Sequence, residues 1–282
     1  MNFIHSLQDF IHYDFLLYAL LGTLFLSITC GLISPLLIAR KNAFMGSAIS
    51  HSTLLGLAIA VSIFSSDSPL SIFATTLVIT IFCTLFLAFS TYRQKLPTDS
   101  LIGIFYTATM AMGILIHSAF AKNKTDLLSF LFGNILLLTK EDLILSIGLL
   151  AITAPLIIIP FKKWLFLTYD EEGAITSGVN AKFYHYLFFI LLSLLIVTSI
   201  KLAGTILIET LLLVPGFFAL KFASNVRQTF IISVLFSTFF AILGILIANT
   251  YGLPSGATLA VVLFLALMLS LLLKTIYTWI RK

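Results

Sequence analysis

The sequence predicts an all-α, polytopic membrane protein with about nine transmembrane helices, eight to ten at the limits of its apolar pattern. Of its 282 residues 60% are hydrophobic and only 10% are charged, whereas a soluble domain carries about 25% charged residues. Apolar runs long enough to cross the hydrocarbon core follow one another along the chain. The net charge of +5 is spread as single and paired cations between those runs. That is the pattern of loop anchors, not of a groove that tracks phosphates, so nucleic acid is not an expected partner. No stretch is polar enough for a soluble domain, and residues 1–282 read as a single transmembrane domain.

The first 14 residues lack a basic n-region and lead into a full-length span, so no cleaved signal peptide is expected. Spans are expected at 15–39, 44–64, 70–91, 100–120, 143–160, 183–200, 204–220, 228–248 and 254–273. The stretch 127–139, LLSFLFGNILLLT, is apolar but too short to span, and reads as a re-entrant or interfacial segment. With the N-terminus outside and the C-terminus inside, Arg40, Lys41, Arg93, Lys95, Lys162, Lys163, Lys182, Lys221, Arg227, Lys274, Arg281 and Lys282 are cytoplasmic. Only Lys122, Lys124, Lys140 and Lys201 then lie outside, which satisfies the positive-inside rule. The cytoplasmic stretch 168–180, TYDEEGAITSGVN, predicts a short surface helix with an acidic start and a stop at Gly178. The external stretch 249–256, NTYGLPSG, is a turn cluster. Cys30 and Cys83 are isolated within spans and make neither a metal knuckle nor a disulfide framework.

Ionisable groups at membrane depth are costly, which makes them the first candidates for function. His51 lies in the second span, in FMGSAISHSTLLGLA, with Ser47 one helical turn before it on the same face. The pair could present a hydroxyl oxygen and an imidazole to a metal ion; the alternative is a buried histidine bonded to a neighbouring helix. Glu209 lies in the seventh span, in AGTILIETLLLVPG, and reads as a metal ligand, a proton acceptor, a salt-bridge partner or a protonated structural acid. Pro215 and Gly216 follow it, predicting a kink or break near the inner side. His117 and His185 sit at span ends as interfacial residues, and His5, Asp9, His12 and Asp14 lie in an amphipathic lead-in. Asn134 could offer a carbonyl oxygen or cap a break in the short segment. The chain contains no G-x-x-x-x-G-K-[ST], H-E-x-x-H, G-x-S-x-G or CxxC motif, so it is not expected to be an enzyme or to hydrolyse ATP itself.

From about residue 17 to 273 the chain resembles the membrane permease subunit of bacterial ABC importers for zinc, manganese and iron. The segments that carry the resemblance are SHSTLLGLA, LIGIFYTATMAMGILI, LLSFLFGNILLLTKEDL, KLAGTILIETLLLVPGFFALKFA and GLPSGATLAVV, in that order. The zinc branch looks closest. The resemblance implies a homodimer in the inner membrane, two cytoplasmic ATPase subunits that bind the ATP, and an extracytoplasmic metal-binding protein. It implies no cofactor in this chain. It also implies that Asp170, Glu171, Glu172, Gly173, Ala174 and Gly178 form the cytoplasmic coupling helix that meets the ATPase.

The chain departs from the family pattern at two acids. Ser47 stands where many relatives carry an Asp before the His, and Asn134 stands where the short segment often reads FGD. Both changes remove a negative charge and should weaken divalent-ion binding; Glu209 could restore one carboxylate. The expected function is therefore ATP-driven import of a divalent metal, zinc foremost, with manganese or iron as alternatives in the same family. An ion-coupled secondary transporter with Glu209 as its proton site is the reading from another class, and a large-ligand importer is a third.

Overall fold

The computed structural model describes residues 10, 12–64, 69–92, 98–120, 133 and 135–280. Among these residues there are no strands, and nine helices are long and apolar enough to span a membrane. They are α1 (Asp14–Ala39), α2 (Ala43–Ile63), α3 (Pro69–Thr91), α4 (Thr98–Phe120), α5 (Lys140–Ile158), α8 (Ala181–Ala203), α9 (Thr205–Phe222), α10 (Val226–Tyr251) and α11 (Ser255–Ile280). Two shorter helices, α6 (Phe161–Tyr169) and α7 (Glu171–Thr176), lie between α5 and α8. Each expected span corresponds to one long helix.

The helix ends follow local chemistry. α5 starts at a reciprocal cap: Asp142 accepts hydrogen bonds from the Thr139 backbone N–H at 3.1 Å and hydroxyl at 2.8 Å, and the Asp142 N–H returns one to Thr139 Oγ1 at 3.3 Å. α8 gives way to α9 at Gly204, whose φ of +81° turns the chain without a full loop. α10 ends on Gly252 at φ +64°, and Leu253 N–H reaches back to the Ala248 carbonyl at 3.0 Å. The turn between α10 and α11 is thus tighter than the 249–256 cluster suggested. Of the segment 127–139, residues 127–132 and 134 lie outside the described residues. The rest holds Gly133, at φ +55°, and a 3₁₀ turn over Ile135–Leu137.

The helices fall into two compact units, neither continuous in sequence. The first comprises α1, the 133–139 stretch, α5 and α9 to α11. Within it α1 packs on α9 and α10, and α11 packs on both of those. Gly133 lies where a Cβ would run into the backbone of Ala203 and Gly204. The Ile135 N–H donates to Ser255 Oγ at 3.1 Å, which ties the start of the short turn to the start of α11. An ion pair of 3.2 Å joins Lys201 to Asp142.

Pro35, Pro155 and Pro215 lie inside helices of this unit, and serines act beside the first and the last. Pro35 has no N–H, which leaves the Gly31 carbonyl of α1 without its helical donor. Ser233 of α10 donates its hydroxyl to that carbonyl at 2.7 Å. Pro215 opens α9 in the same way, and Ser34 of α1 inserts at the neighbouring rung. Its Oγ donates to the Leu212 carbonyl at 2.6 Å and accepts from the Gly216 N–H at 2.7 Å. Of the kink or break expected at Pro215–Gly216, no break occurs: α9 runs from Thr205 to Phe222, with Ser34 bridging the rung beside the proline. The approach needs Gly216, since a Cβ there would lie 2.5 Å from Ser34 Oγ and 2.6 Å from the Ser34 carbonyl.

The second unit comprises α2, α3, α4, α6, α7 and α8 as far as Ile200. α2 packs on α3 and α4 through small residues. A Cβ on Gly56 would meet the Thr76 carbonyl oxygen of α3 at 2.9 Å, and one on Gly113 of α4 would meet the Leu55 backbone at 3.1 Å. α6 buries Trp164 and Leu167; the indole packs edge-on to Tyr184 of α8 at 5.1 Å between centroids.

Removing the Ser34 hydroxyl strands a buried carbonyl and N–H pair, whereas adding a methyl at Gly216 forces two backbones apart. Ser34→Ala should destabilise by about 1–2 kcal/mol, and Gly216→Ala by more. Thermal unfolding midpoints of the detergent-solubilised protein check this; a smaller loss for Gly216→Ala contradicts the packing described.

Candidate functional site

α2 carries the central pair. Ser47 and His51 are both half-buried and one turn apart, so they share a face of the helix. The flanking hydroxyls are turned back onto α2: Ser50 Oγ donates to the Gly46 carbonyl at 3.0 Å and Ser52 Oγ to the Ile49 carbonyl at 2.8 Å. Tyr106 of α4 stands edge-to-face with the His51 ring, 4.4 Å between centroids at an interplanar angle of 88°. Nothing in the sequence marked Tyr106, one aromatic among many in an apolar span; only the pairing of α2 with α4 singles it out.

Glu209 belongs to the other unit, on α9 one turn beyond Thr205, and is half-buried. Asn134 lies outside the described residues. Among the described residues no three His, Cys, Asp or Glu side chains gather as a metal cage. The second unit offers one imidazole and one hydroxyl on α2, and the first unit offers one carboxylate on α9.

The remaining histidines do not add to this set. His185 of α8 is engaged elsewhere: its Nε2 lies 3.1 Å from the Ala88 carbonyl in the last turn of α3, and its ring packs on Tyr92 and Phe189. His117 is half-buried in the last turn of α4, His12 is exposed near the start of α1, and His5 and Asp9 lie outside the described residues.

The acidic loop forms the short helix that its sequence predicts. Asp170 is the N-cap of α7, its Oδ1 accepting from the Gly173 N–H at 2.9 Å. A side chain at Gly173 would collide with that carboxylate. Gly178, at φ +84°, closes the far end, with its N–H on the Ile175 carbonyl at 3.0 Å. Ala174 is fully buried while Asp170, Glu171 and Glu172 are exposed, so the helix is seated on one side and acidic on the other. α6, immediately before it, was not expected. Its signal was Trp164 and Leu167 at helical spacing behind Lys162 and Lys163.

Comparison with known proteins agrees with this arrangement. The profile described as the ABC 3 transport family matches residues 12–274. The chain is 31% identical to the "Manganese transport system membrane protein MntC" of Listeria monocytogenes, over 91% of this chain and 89% of that protein. It is 30% identical to a "Probable iron transport system membrane protein" of Haemophilus influenzae, over 88% of this chain and 89% of that one. The solved structure titled "PsaBC from Streptococcus pneumoniae in complex with Fab" superposes with a TM-score of 0.82 at 29% identity, covering 95% of this chain and 94% of that one.

The cap geometry makes α7 testable. Asp170→Asn should leave the helix intact, because Asn caps as well as Asp, whereas Asp170→Ala should weaken it by about 1 kcal/mol. Hydrogen exchange of the amides of residues 173–176 reads the difference, and equal protection in both variants refutes the cap.

Proposed function

This chain belongs to the ABC 3 transport family, and on that premise we propose that it is the permease subunit of an ATP-driven importer of a divalent metal ion. The observation that carries the reading is the Ser47–His51 pair, one turn apart on a shared face within a span. In this reading the ion meets His51 and Ser47 on its way through, and Glu209 is a separate candidate donor on α9 of the first unit. Asn134 is the further candidate oxygen donor. A hydroxyl and an imidazole bind a divalent ion weakly enough to release it, which import requires. Membership of an ABC family favours the ATP-driven reading over an ion-coupled one.

The cargo proposed first is manganese, ahead of the zinc that the sequence alone suggested. Relatives named for manganese and iron support that order. So does the donor chemistry: oxygen ligands suit manganese, whereas zinc favours imidazole and thiolate. Zinc is the second reading, supported by the single imidazole.

The expected assembly is a homodimer of permeases with two cytoplasmic ATPase subunits and an extracytoplasmic metal-binding protein. α7, from Asp170 to Gly178, is the proposed ATPase contact: it is preformed, anchored by Ala174 and acidic outside. The proposed orientation in the inner membrane has the N-terminus outside and the C-terminus in the cytoplasm, which keeps most of the cations inside. We take residues 1–282 as one permease domain, since neither compact unit is continuous in the chain.

The test is uptake of radiolabelled manganese by cells that express the chain with its ATPase and binding protein. His51→Ala should lower uptake at least tenfold and Glu209→Gln several-fold, while unlabelled manganese should compete better than zinc. Normal uptake by His51→Ala removes α2 from the path. Stronger competition by zinc reverses the choice of ion. In the same cells, Glu171→Lys with Glu172→Lys should abolish uptake without loss of the permease from the membrane, and unchanged uptake excludes α7 as the contact.

A further inference from the structure

We propose that Tyr106 is a positioning residue for His51, fixing the plane of the imidazole so that one nitrogen faces the passing metal ion. The inference rests on the reading of His51 as a transit ligand. Its geometry is the edge-to-face contact at 4.4 Å and 88° across the α2–α4 interface. A histidine ring turns about a broad, two-fold terminal torsion, so its helix alone does not settle where its nitrogens point. A metal bond is directional and needs a ring lone pair aimed at the ion. An aromatic ring set perpendicular at this distance restricts that torsion by contact and by the attraction of a positive edge for a negative face.

Two features argue that the pairing is built in. The interface that brings the rings together is drawn close by Gly113, where a Cβ would lie 3.1 Å from the Leu55 Cα and N. Leu55 stands one turn beyond His51 on α2, so this close approach of the two helices lies one turn from the ring pair. The positioning also falls on a site with a neutral residue at position 47. A carboxylate would attract the cation from any direction, whereas a hydroxyl contributes little pull. Correct aim of the single imidazole therefore carries a larger share of the binding.

Tyr106→Phe keeps the ring and loses the hydroxyl; Tyr106→Leu and Tyr106→Met keep apolar bulk and lose the ring. In cells expressing the complete importer, uptake of manganese(II) is measured as KM and maximal rate, with permease abundance in the membrane determined alongside. Tyr106→Phe should stay within about twofold of wild type. Tyr106→Leu and Tyr106→Met should raise KM about threefold to tenfold, the range an aromatic pair contributes, while the maximal rate per permease changes less than about twofold. Two results overturn the proposal while His51→Ala still abolishes uptake. One is an unchanged KM in both ring-less variants, including the case where only abundance falls. The other is a loss in Tyr106→Phe equal to that in Tyr106→Leu, which assigns the effect to the hydroxyl. Uptake that survives His51→Ala defeats the underlying reading, and this proposal with it.

Discussion

Inside a hydrocarbon layer each backbone N–H and C=O must find its partner within the protein, and the first unit is organised around that demand. Its helices carry prolines, which would leave polar groups stranded. The answer is a pair of exchanges centred on α1. Ser233 of α10 completes the Gly31 carbonyl opened by Pro35, and Ser34 of α1 bridges the Leu212–Gly216 rung beside Pro215. Each exchange adjoins a glycine, Gly31 or Gly216, at which a Cβ would lie 2.5 Å from a serine Oγ of the facing helix. Proline, serine and glycine thus act together, and the packing of α1 against α9 and α10 follows from them.

The second unit solves a different problem with related means. α2 must keep a histidine and two polar neighbours at membrane depth without exposing them to lipid. Its glycine contacts with α3 and α4 draw the three helices together, and the ring of Tyr106 covers one side of His51. The hydroxyls of Ser50 and Ser52 are bonded to their own helix, and Ser47 and His51 share one face of it. The unit also carries α7, whose shape comes from one carboxylate and two glycines. The Ser47–His51 pair and α7 therefore arise from local chemistry on one set of helices.

Much of this was legible from sequence because the governing signals are local. A run of about 20 apolar residues spans whatever surrounds it, and the acidic start and Gly178 stop of α7 lie within a few residues of each other. The unbroken course of α9 was not legible: Pro215 predicts a kink or break, and the residue that bridges the adjoining rung, Ser34, sits 182 residues from Gly216. Tyr106 was hidden for the same reason, since its role comes from the pairing of α2 with α4. α6 was missed because nine residues of mixed polarity resemble a loop until Trp164 is seen buried. The choice among zinc, manganese and iron was not legible, since one imidazole and one hydroxyl suit more than one of these ions.

The exchange between α1 and α10 also has a bearing on biosynthesis. The Gly31 carbonyl enters the membrane with the first span, while its donor Ser233 comes 202 residues later. At a synthesis rate of about 5–20 residues per second, that interval is roughly 10–40 s. During that time α1 holds an unanswered carbonyl that water, lipid headgroups or an insertion chaperone must tolerate. α2, α3 and α4, being neighbours in sequence, can pack as they emerge. The unit that contains the N-terminal helix is thus the last to be completed, and a ribosome stalled before α10 leaves behind a chain whose first span has no settled place.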